Sequence, residues 1–444
     1  MPTLQFSEGL SPPQPILQRK QLLNHIIDGF AQTRPESVWA KVPKNSTSYN
    51  AGYRKITYKL MANAVNGLAW WIKRELGESK TFETLAYFGN WDPRYCILML
   101  AAVKAGYKVD FERFRHFGLT NGKQMIFPSP TYAIAGVTRL LDRVDCKCIL
   151  MSSGQLDIIK KLSQHTGRQL YSIPSFETLL NEEYPHYPFD KTFESAREEP
   201  LVMVHTSGTT GMPKPLIYTH DWVATWVEQC QTSPIEGHMS LESICFGIEI
   251  CAVGPPNHSS NFYPNIFAAI PNQIVVIFPL PEASFTFETA MEMIRGNDPY
   301  LLLAPAHILD GIASDKKYIE EVPSKVKWIA FGGGPLSKPT GAILTECFQL
   351  FGMYGTSEMG TVPKIVPTGP WNRRSWNSWK PHSIRNMSFR QIQGGDSYEA
   401  WITKNKEAEE EQPVLKMFPE LNEWSTRDMF TADPHREGFW SYQG

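Results

Sequence analysis

Apolar positions along the chain follow two alternating periods. At helical spacing they recur from Gln21 to Ala31, and again from Thr57 through Leu76, where Leu60, Ala64, Leu68 and Trp71 share one stripe. Short unbroken apolar runs stand at Ala86 to Phe88, Cys148 to Met151, Leu201 to Val204, Ile274 to Phe278, Tyr300 to Ala304 and Lys327 to Phe331. Runs of that length predict strands buried on both faces. Further helical segments fall between them at Tyr95 to Ala105, Ala133 to Leu141, Trp222 to Gln229 and Phe285 to Ile294. This alternation predicts an α/β fold, with layered β-sheets flanked by helices. Met1 to about Gln18 carries four prolines, so residues 1–20 read as an extended arm ahead of a core spanning 21–444.

At 444 residues the chain is too long for a single small core. Its 43 basic and 45 acidic residues nearly cancel, which gives no electrostatic reason to expect nucleic acid or an anionic membrane as partner. No apolar run reaches bilayer-spanning length, and the first residues lack the basic and apolar regions of a signal peptide. Seven cysteines include one C-x-C pair, Cys146 and Cys148, with no second cluster at metal-ligand spacing. Scattered reduced thiols and a cytoplasmic location are the expectation.

The chemistry concentrates between Val204 and Pro215, which reads V-H-T-S-G-T-T-G-M-P-K-P. Thr206, Ser207, Thr209 and Thr210 alternate with Gly208 and Gly211, and Lys214 closes the run between two strand-like segments. Glycines let backbone approach a polyanion, hydroxyl and N–H groups donate to its oxygens, and a lysine adds a mobile positive charge. A Walker A loop is excluded, because that pattern needs glycine where Pro213 stands. S-G-T-T-G alone would read as a surface turn; the whole string reads as a phosphate-binding loop.

At this length the string resembles the phosphate loop of the adenylate-forming superfamily, which includes acyl-CoA synthetases, luciferases and nonribosomal-peptide adenylation domains. Relatives usually show T-S-G-[ST]-T-G-x-P-K-G; here Pro215 replaces the last glycine. The resemblance extends to the glycine run Gly332, Gly333 and Gly334 after a strand, to Met353-Tyr354-Gly355-Thr356-Ser357-Glu358, and to Ser425-Thr426-Arg427-Asp428. It implies an acyl-CoA synthetase-like large core. It also implies ATP/AMP and Mg²⁺ as cofactors, with Thr206, Ser207, Gly208, Thr209, Thr210, Gly211 and Lys214 on the β- and γ-phosphates. Thr356 and Ser357 would serve the α-phosphate, and Glu358 the metal. Met353, Tyr354, Gly355 and the glycine run would lie on the adenine side, with Asp428 at the ribose. His258 would stand near the carboxylate and phosphate, with Lys214 and Glu358 as the other catalytic candidates. His258, Phe262, Pro305 and Ala306 would wall the acyl pocket.

Relatives pass from K-A-G-Y-K almost directly into a segment like Met125 to Pro130, whereas here Val109 to Gln124 intervenes. Residues 109–124 are either a tolerated loop insertion or a retained intron, since removing them restores the register without a frame change. Relatives also continue past the position of Gly444 into a hinge and a small mobile lid that carries a lysine for adenylate formation. That C-terminal lid subdomain is absent from the sequence given, so the resemblance covers the core alone and the chain reads as truncated. Q-P-V-L-K-M-F-P and S-T-R-D look most like fungal nonribosomal-peptide-synthetase-like proteins of adenylation–thiolation–reductase type. The implied activity is ATP-dependent conversion of a small or aryl carboxylic acid, without an α-amino group, to acyl-AMP and pyrophosphate in secondary metabolism. A carrier domain or a lid supplied in trans would be the protein partners. An acyl-CoA ligase core and a catalytically inactive fragment are the competing expectations.

Overall fold

The computed structural model describes residues 20–77, 84–106, 125–126, 128, 134–152, 156–206, 214–228, 238–240, 245–322, 326–367, 376–392, 394–405 and 412–444. The N-terminal arm up to residue 19 and the 109–124 segment lie outside them.

The continuous apolar runs become strands of two mostly parallel sheets. In one, the spatial order is Gln349–Gly352, Trp328–Gly332, Leu301–Pro305, Glu249–Ala252, Val275–Ile277, Val38–Pro43 and Tyr53–Thr57. Only the last pair is antiparallel. In the other, Gln169–Ser172, Cys146–Met151, Thr84–Phe88, Met125–Ile126 and Pro200–Thr206 run parallel, and Lys214–Thr219 returns antiparallel along the edge. Sheets covered on both faces need strands without a polar side, which is why these segments showed no alternation.

Helices supply the cover. Arg94–Lys104 is buried at every residue. The buried Lys104 ammonium ties it to Asp28 of Leu23–Thr33, at 2.7 Å, and to Asn66 of Tyr58–Leu76, at 2.9 Å. Two of the expected helices are capped at their starts: Thr57 Oγ1 accepts from the Leu60 N–H at 3.3 Å, and Thr219 Oγ1 from the Trp222 N–H at 3.0 Å. No helix among the described residues is long and apolar enough to cross a membrane.

A third sheet is wholly antiparallel, in the order Met387–Gln391, Tyr398–Thr403, Glu423–Ala432, Trp440–Tyr442, Ser378–Pro381, Lys364–Pro367 and His238–Ser240. It has its own core around Tyr354, Trp379 and Phe430. Two tryptophans close in sequence have structural places: Trp379 lies in this core, and Trp376 packs edge-on against Phe331 at 5.6 Å.

A buried ionic clasp joins distant pieces of the chain. Asp221 sits in the helix His220–Glu228 and is almost fully buried. It accepts from Arg197 at 3.0 Å and from Lys416 of the helix Pro413–Met417 at 2.8 Å. Deleting one member of a buried ion pair strands its partners, at a cost of about 3 kcal/mol. Asp221→Ala is therefore expected to lower the unfolding free energy measured by urea titration by that amount; an unchanged unfolding free energy would show that the clasp contributes nothing.

Candidate active site

Four neighbouring parallel strands end on one edge, and their last residues, Ala252, Pro305, Gly332 and Gly352, all line a single cleft of about 830 Å³. Carboxyl ends of parallel strands are where open α/β sheets bind ligands. Trp379, Asp428 and Tyr442 of the antiparallel sheet form the facing wall.

Between the two walls the chain makes a tight ribbon. Gly355-Thr356 pairs antiparallel with Gly360-Thr361, leaving Ser357, Glu358 and Met359 at the tip. Glycine is required on both sides. A Cβ at Gly355 would stand 2.5 Å from the Gly360 carbonyl oxygen; Gly360 has φ +67° and lies against the Trp226 ring. The tip is held from below. Met359 is fully buried, the Ser357 carbonyl accepts from Tyr218 Oη at 2.7 Å, and the Ser357 and Ser259 hydroxyls are 3.1 Å apart. Trp226 Nε1 donates to Thr361 Oγ1 at 2.7 Å. Thr356, Ser357 and Glu358 thus line the cleft on a fixed turn.

Asp428 stands beside this ribbon although 74 residues separate it from Tyr354. Tyr354 Oη donates to its carboxylate at 2.7 Å, and Tyr442 Oη lies 3.5 Å from the other oxygen. Its neighbour Arg427 adopts φ +61°, a strained value for a non-glycine residue inside a strand. Burial raises the Asp428 pKa above its ordinary value, more than the two tyrosine hydrogen bonds lower it. Each carboxylate oxygen has two acceptor sites, so the tyrosines leave capacity for further donors.

His258 lines the cleft and caps the short helix Ser259–Phe262. Its Nδ1 accepts from the Ser260 N–H at 3.1 Å, which puts the proton of the neutral ring on Nε2. The ring is exposed to the cleft, yet desolvation by the surrounding protein lowers its pKa, so it is neutral at neutral pH.

The structure brings together most, not all, of the residues singled out from sequence. Thr206, His258, Pro305, Gly332, Gly333, Gly334, Met353, Tyr354, Gly355, Thr356, Ser357, Glu358 and Asp428 share the cleft. Lys214 is exposed, opposite Thr206 in the edge hairpin, and is not among the described cleft-lining residues. Ser207, Gly208, Thr209, Thr210 and Gly211 lie outside the described residues. Phe262 does not reach the cleft: its ring is buried and stacks with Phe267. Ala306 likewise opens the helix Ala306–Ala313 without lining it.

Sequence reasoning missed the aromatic wall. Trp226 stacks on Tyr263 at 4.5 Å and both line the cleft. Tyr263 begins a π-helix, Tyr263–Phe267, a form that recurs at functional sites. Beneath it a smaller apolar pocket is lined by Tyr263, Ile250, Leu301, Phe351, Met353 and Val362. Nothing in the local pattern marks these positions, since helix and strand residues converge there only in the fold.

No group of three or more histidine, cysteine, aspartate or glutamate side chains among the described residues could hold a metal ion. The one carboxylate on the ribbon, Glu358, suits Mg²⁺ that arrives with phosphates and keeps some of its water.

Comparison with known proteins agrees with this architecture. The chain is 24% identical to a carboxylic acid reductase of Neurospora crassa, over 99% of this chain and 40% of that protein. It is also 24% identical to the isocyanide synthase–NRPS hybrid crmA of Aspergillus fumigatus, over 96% of this chain and 26% of that protein. It therefore spans well under half the length of these relatives. Its fold resembles the N-terminal domain of FACL13 from Mycobacterium tuberculosis, with a TM-score of 0.71 at 15% identity, covering 96% of this chain and 99% of that domain. The profile of the AMP-binding enzyme family matches residues 36–378, and the chain belongs to that family.

Proposed function

We propose that this chain is the adenylation core of an NRPS-like reductase, joining Mg·ATP and a carboxylic acid to give acyl-AMP and pyrophosphate. The observation that carries the reading is one cleft shared by the Thr356–Glu358 turn, the Gly332–Gly334 loop, Tyr354 and Asp428. The similarity to a carboxylic acid reductase over nearly all of this chain supports the same setting.

In the reaction, a carboxylate oxygen attacks the α-phosphorus and the bond to the pyrophosphate oxygen breaks. The protein's part is orientation and charge neutralisation. Tyr354 and the glycine loop hold the base, and Asp428 accepts from the ribose hydroxyls. Thr356 and Ser357 donate to the α-phosphate from the ribbon that Tyr218 and Ser259 brace. His258 offers an Nε2–H donor near the carboxylate. Glu358 would hold Mg²⁺, which neutralises phosphate charge. Thr206, Ser207, Gly208, Thr209, Thr210, Gly211 and Lys214 serve the β- and γ-phosphates.

The acyl group enters between Trp226, Tyr263 and Pro305 toward the apolar inner pocket. Among the described residues lining cleft and pocket, the only carboxylates are Glu358 and Asp428, both committed to the nucleotide. No third one is offered to an α-ammonium, which favours a small or aryl acid without an amino group. A cytoplasmic location and hand-over of the product to a carrier domain, with a lid in cis or in trans, complete the proposal.

Two outcomes test it. Lys214→Ala and Glu358→Ala are each expected to lower acid-dependent pyrophosphate exchange about 100-fold, the size of one lost electrostatic contact to a developing charge. Exchange at the wild-type level would refute the assignment. Asp428 accepts more strongly from ribose when it is ionised, and burial raises its pKa. ATP affinity is therefore expected to fall on acidification at a pH above the range of an ordinary aspartate, and this step should vanish in Asp428→Asn. An unaltered profile in that variant would remove Asp428 from the ribose site.

A further inference from the structure

Lys364 begins the strand Lys364–Pro367 and is 3% exposed. It lines both the cleft and the inner pocket, and is the one lysine or arginine among the described residues that do so. No sequence motif marks it. Its contacts are specific. Nζ donates to the carbonyl of Gly352, the last residue of the strand that leads into Tyr354, and lies 4.4 Å from the ring centroid of Trp379. Trp379 in turn stacks with Tyr354, at 5.5 Å and 27°. Phe430 meets both rings edge-on, at 5.1 and 5.8 Å. Tyr354 then reaches Asp428 through its hydroxyl.

An ammonium is costly to bury, and an apolar side chain of similar size would fill the same space at lower cost. What the lysine adds is a charge-assisted hydrogen bond to a strand end and a cation–π contact to an indole. Those two groups flank Tyr354, one through the backbone and one through ring stacking. We propose that Lys364 is a positioning residue for the nucleoside end of the ligand: it pins Gly352 and Trp379 so that the Tyr354 ring and the Asp428 carboxylate stand ready for base and ribose. The assignment rests on the adenylation reading above. It adds a residue that acts through Tyr354 and Asp428 without contacting the phosphates.

The test separates the nucleoside end of the site from its phosphate end. Lys364→Met keeps the length of the side chain and removes the charge. Dissociation constants for AMP, ATP and pyrophosphate are measured on the full chain by titration calorimetry. The variant is expected to weaken AMP and ATP about tenfold, the loss of one hydrogen bond to a charged donor, with pyrophosphate within about twofold of wild type. Lys364→Arg, which retains the cation over Trp379, should recover most of the loss. AMP binding unchanged in Lys364→Met would overturn the proposal. So would an equal loss for AMP and pyrophosphate with no recovery in Lys364→Arg, because general loosening of the site gives that pattern. A wild-type chain that binds none of the three ligands would overturn the adenylation reading and this assignment with it.

Discussion

The cleft exists because one short segment, Gly352 to Thr361, crosses from the parallel sheet to the antiparallel one and doubles back on itself without steric conflict. The backbone contact at Gly355 and the left-handed turn at Gly360 leave no room for a β-carbon. With the ribbon folded that tightly, Thr356, Ser357 and Glu358 are presented together, and Tyr218, Ser259 and Trp226 fix them from three other elements. Positioning of this kind is the main contribution a protein makes to phosphoryl and nucleotidyl chemistry. The same crossing carries Tyr354 into the core of the antiparallel sheet, where its hydroxyl finds Asp428.

Much of the fold was legible because buried parallel strands and their covering helices leave strong periodic marks. Pro200–Thr206, Leu301–Pro305 and Trp328–Gly332 fall where the apolar runs predicted them, and the helix Arg94–Lys104 agrees with its expected range within a residue. The antiparallel sheet was nearly illegible. Strands such as Met387–Gln391 and Glu423–Ala432 mix charged, aromatic and small residues, because one of their faces meets water. Short strands like Lys364–Pro367 are too brief to show a period at all.

The site divides in the same way. Residues adjacent in sequence, such as the glycine loop and the Tyr354–Glu358 segment, could be read as motifs, since their chemistry is local. Pairings that depend on the tertiary fold could not. The Tyr354–Asp428 hydrogen bond, the Trp226–Tyr263 stack and the Lys364–Gly352 contact each join residues from different elements. The errors have the same origin. Phe262 follows the cleft-lining His258 by four residues, yet Tyr263 at the start of the π-helix lines the cleft while Phe262 packs inward against Phe267.

Adenylation by this fold requires elements far apart in the chain to grip a single nucleotide. Photolabelling with an azido-adenine analogue of ATP, followed by peptide mapping, checks this. Label confined to the Gly332–Gly334 and Met353–Ser357 peptides, and lost when AMP is added in excess, is the predicted result. Label scattered over other surfaces, or insensitive to AMP, would contradict it.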